Sequence, residues 1–169
     1  GFPMIRGALV VAAARAVAGA PARSDAATTD PWPGVASAYL VRIDGEVRWA
    51  ANDAARMKPA SLTKMMTAVL VVEALAPSSE VVVSKRAAAA DGVRLGLRAG
   101  MRLPVEHLLA AALLRSANDA CLALAERVAG SEAAFVARMN ERAAALGLAD
   151  THFANACGFD APGHYASAR

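Results

Sequence analysis

The chain has 169 residues, 56% hydrophobic and 20% charged, enough apolar material for one globular domain or for part of a larger one. The formal charge of +3 comes almost wholly from scattered arginines, and two Trp, two Tyr and four Phe offer little for base stacking, which argues against nucleic-acid binding. No His-Glu-x-x-His or Cys-x-x-Cys occurs, and His107, His152 and His164 are dispersed, so zinc hydrolase chemistry is disfavoured.

Residues 1–23 read as an export leader. Met4-Ile5-Arg6 brings a positive charge, residues 8–14 a short apolar stretch broken by Arg15, and Ala18-Gly19-Ala20 a small-x-small cleavage site. The stretch is too short to span a bilayer. Residues 24–35, rich in Pro, Ala and Asp, read as a linker, and the domain is expected over 36–169. A strand over 37–43, an Asp44-Gly45 turn and a returning strand over 46–50 predict a hairpin, because Asp-Gly suits a turn with φ > 0 at both positions.

A loop then leads into a helix expected over 61–75. Beyond Lys64 its sequence is apolar nearly all round, which predicts a central, buried helix. Pro77 ends it, residues 80–83 read as a short strand or extended link, and 86–100, with Gly92, Gly96 and Gly100, as an irregular loop over a site. Pro104 opens a helix over 105–115 with Glu106 against its N-terminal dipole. After a break at Ser116-Ala117-Asn118, a helix over 119–129 ends at Gly130. Ser131 caps another through 145, stopped by Gly147, and 151–169 read as extended or loop.

The fold class is therefore α+β, a helical cluster packed on an antiparallel sheet of which only the N-terminal hairpin is present. A lone hairpin is marginal in water, and an all-apolar helix needs a wide sheet, so further strands are expected beyond Arg169.

Chemistry concentrates in two short elements. Ser61-Leu62-Thr63-Lys64 is an S-x-x-K run at the start of the apolar helix. A serine is a poor nucleophile until a base takes its proton, and a lysine one turn on lies within reach. Ser61 falls in the first helical turn, where its backbone N–H is unpaired and free to face a developing oxyanion. Partial desolvation of Lys64 would favour the neutral amine that a general base requires. Alone, this run reads as a capping Ser and a solvated Lys.

Ser116 and Asn118 flank Ala117 in a bend, so both side chains can face one cleft, Ser116 to relay a proton and Asn118 to hold a substrate amide and hydrogen-bond Lys64. Alone, they read as a helix terminator and a helix cap. Cys121 lies among Leu122, Ala123 and Leu124, where a buried free thiol is the default, while pairing with Cys157 is open to an exported protein.

In order, spacing and flanks, Pro59-Ala60-Ser61-Leu62-Thr63-Lys64-Met65-Met66 and Arg115-Ser116-Ala117-Asn118-Asp119-Ala120 resemble the nucleophile segment and second motif of the serine D-alanyl-D-alanine carboxypeptidases, the low-molecular-mass penicillin-binding proteins. Met139-Asn140, Thr151-His152-Phe153, Asn155, Gly158-Phe159-Asp160 and Gly163-His164-Tyr165 are similar to connecting segments of the same family. The resemblance implies a β-lactamase/transpeptidase-like fold. It implies that Ser61 attacks a terminal D-Ala-D-Ala bond of a peptidoglycan stem peptide, with Lys64 as base and Ser116 and Asn118 organising proton transfer and substrate. It also implies covalent inhibition by β-lactams, no cofactor, export to the periplasm, and peripheral inner-membrane association through a region beyond Arg169.

One departure is plain: no Lys-Thr-Gly follows Asn118. In the family that strand binds the substrate carboxylate and supplies a second oxyanion donor. The 169 residues alone are therefore expected to fold poorly and to be weakly active. D,D-endopeptidase action on cross-links and a non-catalytic remnant are the alternatives. A class A β-lactamase is disfavoured by Ala117 between Ser116 and Asn118.

Overall fold

The computed structural model describes residues 33–169; the expected leader and most of the expected linker lie outside the described residues. Strand β1 (Tyr39–Ile43) pairs antiparallel with β2 (Glu46–Ala51), from Tyr39 opposite Ala51 to Ile43 opposite Glu46. The turn is the expected one, Asp44 at φ 51° and Gly45 at φ 82°. No residue of either strand is buried. The helices therefore do not pack on this hairpin as expected; they pack chiefly on one another.

A short 3-10 turn (Ala60–Leu62) runs into α1 (Thr63–Ala74). Here the expectation of burial all round is corrected. Thr63, Lys64, Met66, Thr67, Leu70 and Val71 are buried, but Met65 and Val72 are each 63% exposed. Helix α1 meets the later helices α3, α4 and α5 across one side only, so its apolar sequence exceeds the surface that its neighbours cover.

Beyond α1 lies a second small sheet. Strand β3 (Glu80–Val82) pairs antiparallel with β4 (Arg102–Pro104), whereas the sequence reading gave 80–83 no partner. Three-residue strands carry no usable period, and Pro104 both ends the ladder and precedes a helix, where its missing N–H costs nothing. Between the strands, Ser84 Oγ caps α2 (Lys85–Ala88) by accepting the Ala87 N–H at 2.9 Å. The loop after α2 leads to β4.

Helices α3 (Val105–Leu114), α4 (Asn118–Ala129) and α5 (Glu132–Ala145) follow close to expectation. Gly130 closes α4 at φ 79°, and Ser131 Oγ caps α5 by accepting the Ala134 N–H at 3.2 Å. Helix α4 is the centre: Asn118 through Ala125 are all buried, against Leu108, Phe135, Met139, Val71 and Val81 of the surrounding elements. The tail after α5 returns to the start of the domain. Met57 bridges Ala166 and His152 bridges Tyr165, which carries residues 155–158 behind α1. Among the described residues no helix is long and apolar enough to cross a membrane.

Candidate active site

Ser61 stands in the 3-10 turn that opens α1, on the surface. Its N–H takes no partner among the described residues, as the first turn of a helix dictates. The residue before it, Ala60, has φ 46°, a conformation uncommon without glycine. Such a backbone persists only where its surroundings hold it. Gly158 supplies that hold, since a Cβ there would lie 1.9 Å from the Ala60 carbonyl oxygen. Only glycine lets the tail press against the peptide leading into Ser61.

Lys64, one turn further along α1, is 2% exposed. Its Nζ donates to the Cys157 carbonyl at 2.6 Å, to Ser116 Oγ at 3.3 Å and to Ser61 Oγ at 3.5 Å. The two serine hydroxyls are themselves 2.5 Å apart. No carboxylate pairs with Lys64 among the described residues. Its three contacts are all neutral oxygens, which accept from an ammonium or an amine alike. A cleft of about 340 Å³, lined by Ser61, Lys64, Met65, Leu113 and Ser116, opens beside the three polar groups.

The bend between α3 and α4 brings one of its two polar side chains to Ser61. Ser116 adopts φ 55°, Ala117 is fully buried with its N–H on the Ala111 carbonyl, and Ser116 meets Ser61. Asn118 behaves differently from expectation. Its Nδ2 donates to the Asp91 carbonyl at 2.8 Å, its backbone N–H donates to the Val93 carbonyl at 2.7 Å, and it makes no hydrogen bond to Lys64. As the first residue of α4 it ties down the glycine-rich loop.

The sequence reading missed Asp119. This fully buried carboxylate accepts the backbone N–H groups of Leu95 (3.1 Å), Gly96 (2.9 Å) and Leu97 (2.9 Å), fastening the loop to α4. Its one sequence signal was an acidic residue in a first helical turn, which reads as a dipole partner. It also missed the turn around Cys157. Asn155 Oδ1 accepts the N–H groups of Cys157, Gly158 and Phe159 at 3.2, 2.7 and 3.0 Å. Thr67 Oγ1 donates to the Ala156 carbonyl at 2.7 Å, and Glu132 Oε1 accepts the Ala156 N–H at 3.1 Å. These bonds aim the Cys157 carbonyl at Lys64. A backbone acceptor leaves no mark in a sequence.

His164 braces the same wall. Its Nδ1 accepts the Ala154 N–H at 2.9 Å, which leaves Nε2–H to donate to Thr63 Oγ1 at 2.8 Å. Burial, and then the neighbouring His152, hold its pKa below the ordinary histidine value of 6.5. Among the described residues no group of three His, Cys, Asp or Glu side chains is placed to hold a metal ion.

The sequence pattern described as D-alanyl-D-alanine carboxypeptidase matches residues 28–169. The chain belongs to that family. Within the D-alanyl-D-alanine carboxypeptidase family it is 41% identical over 138 residues to DacF of Bacillus subtilis, covering 78% of this chain and 36% of that one. To DacA of Escherichia coli K12 it is 40% identical over 155 residues, covering 81% and 38%. The structure of the D-alanyl-D-alanine carboxypeptidase DacD from Francisella tularensis superposes with a TM-score of 0.74 at 34% identity, over 79% of this chain and 34% of that one. The chain thus spans well under half the length of the relatives it matches, and the fold class is α+β of the penicillin-binding type.

Proposed function

We propose that the protein is an exported serine carboxypeptidase of the bacterial cell wall that removes the terminal D-Ala from peptidoglycan stem peptides through an acyl-enzyme on Ser61. The meeting of Ser61 Oγ, Ser116 Oγ and Lys64 Nζ beside an open cleft carries this reading.

Lys64 Nζ takes the Ser61 proton, directly or through Ser116 Oγ, as Ser61 Oγ attacks the carbonyl of the penultimate D-Ala. The oxyanion develops facing the unpaired Ser61 N–H. On collapse the C–N bond breaks, and the proton returns through Ser116 to the leaving amine, releasing D-Ala. Water then attacks the ester with its proton passed to the same groups, and Ser61 regains its hydroxyl. A β-lactam acylates Ser61 by the same steps, but its leaving group stays tethered and the adduct persists. Asn118 acts by fixing the loop through the Asp91 and Val93 carbonyls beside Ser116.

A polypeptide of these 169 residues alone is expected to turn over slowly. It holds no Lys-Thr-Gly, and one oxyanion donor is worth roughly 10²–10³ in rate.

The test is D-Ala release from a peptide ending in D-Ala-D-Ala, against a cross-linked muropeptide, using the protein expressed from its own reading frame. Release from the linear peptide that vanishes in Ser61→Ala supports the reading. Cleavage confined to the cross-linked substrate would reassign the protein as an endopeptidase, and no cleavage of either would leave a non-catalytic binder.

A further inference from the structure

We propose that Cys121 and Cys157 form a redox-modification site, a dithiol that closes to a disulfide and fastens the tail turn 154–159 to α4 behind Lys64. The two residues come from elements far apart in the chain, yet their sulfurs lie 2.6 Å apart and both side chains are buried. A bonded pair sits at about 2.0 Å, so little adjustment separates the two states. Each sulfur also faces the backbone of the other's element, Cys121 Sγ the Ala156 carbonyl at 3.2 Å and Cys157 Sγ the Asn118 carbonyl at 3.7 Å. The pair therefore bridges α4 and the tail turn at the point where they meet.

Reactivity decides when the bond forms. The hydrogen bond to Cys121, and then burial, push the Cys157 thiol far above the ordinary cysteine range. A docked thiol of that kind is a poor nucleophile. Oxidation accordingly takes place while the tail turn is lifted, during folding or local opening. The oxidant is a disulfide-bearing thiol reagent or protein. One cysteine thiolate attacks an oxidant sulfur, forming a mixed disulfide and releasing the oxidant's first thiolate. The second cysteine thiolate then attacks the cysteine sulfur of that mixed disulfide, forming the Cys121–Cys157 bond and releasing the second oxidant thiolate. Two electrons and two protons leave the protein, and the oxidant becomes two thiols.

Redocking brings the bond to rest beneath the site. The Cys157 carbonyl accepts from Lys64 Nζ, and Gly158 abuts the peptide before Ser61. The cross-link thus pins the turn that holds Lys64 and shapes the approach to Ser61. That consequence rests on the functional reading given above; the cross-link itself does not.

The test equilibrates the protein with oxidised glutathione or with dithiothreitol, then unfolds, alkylates and maps it by mass spectrometry. The expected oxidised form yields one peptide pair joined through Cys121 and Cys157, two hydrogens lighter than the dithiol. Its Tm lies about 10 °C above that of the reduced form, the order expected for closing a loop of this size. Cys157→Ser abolishes both the joined peptides and the redox dependence of Tm; should that variant not fold, Cys121→Ala serves. Full alkylation of both cysteines after oxidation, glutathione adducts alone, or an oxidised form no more stable than the reduced one would overturn the proposal. None of these readouts involves Ser61, so a failure of the carboxypeptidase reading leaves the result standing.

Discussion

On the inner face of α1, Thr63, Lys64 and Thr67 are each no more than 2% exposed, and each meets a partner from the distant tail: His164 Nε2, the Cys157 carbonyl and the Ala156 carbonyl. On the outer face Met65 and Val72 stand 63% exposed, with Leu113 of α3 sharing a cleft with Met65. The inner face mixes these three polar groups with buried Met66, Leu70 and Val71, while two apolar side chains are left outside. Buried polar groups cost free energy unless each finds a partner. The inner face is therefore specified by a few directed bonds, and it is there that Ser61, Lys64 and Ser116 meet. The outer face has area but no direction, and nothing about it fixes a geometry.

Substitutions separate the two faces by the size of their effects. Ser61→Ala is expected to remove acylation by benzylpenicillin below detection, measured by intact mass, because no other hydroxyl occupies its position. Lys64→Met should slow acylation by roughly 10²–10⁴, the usual worth of a positioned base, followed as an acylation rate at saturating drug. Asp119→Ala strips the carboxylate from three loop N–H groups and is expected to cost about 3 kcal/mol in denaturant unfolding. Retention of full stability in that variant would show that the glycine loop is held by something else.

A smaller effect is expected from pH. Because the folded-state pKa of His164 lies below 6.5, the unfolded chain binds this proton more readily. Its contribution to stability is complete above that value, falls as pH drops from it toward the folded value, and changes no further below. His164→Gln should flatten that part of the pH–stability curve. The least effect belongs to the outer face: Val72→Thr in the 169-residue polypeptide should shift stability by less than about 0.5 kcal/mol. A large loss there would mean that the exposed face is packed after all.

How far the sequence foretold these features depends on how local their cause is. Asp44-Gly45 announced its own hairpin because the turn's φ values demand such residues, and Ser131 and Gly130 marked helix ends for the same kind of reason. S-x-x-K and S-x-N spacing pointed to Ser61, Lys64 and Ser116, and the structure brings those three within hydrogen-bond distance. Asn118 was expected to face Lys64 but turns to Asp91, because a side chain's rotamer follows its tertiary neighbours. The tail contacts, the Cys157 carbonyl and the β3–β4 pair were not legible, since each depends on residues far apart in sequence and on backbone atoms common to every residue. Apolar periodicity told that α1 would seek burial, yet it could not tell which side its neighbours would cover.

The central claim is that Ser61 is the acylated nucleophile, and peptide mapping after incubation with benzylpenicillin tests it most directly. The account predicts one penicilloyl group on the peptide containing Ser61, absent from Ser61→Ala and formed far more slowly in Lys64→Met. An adduct on Ser116 or elsewhere, or labelling that survives Ser61→Ala, would contradict it.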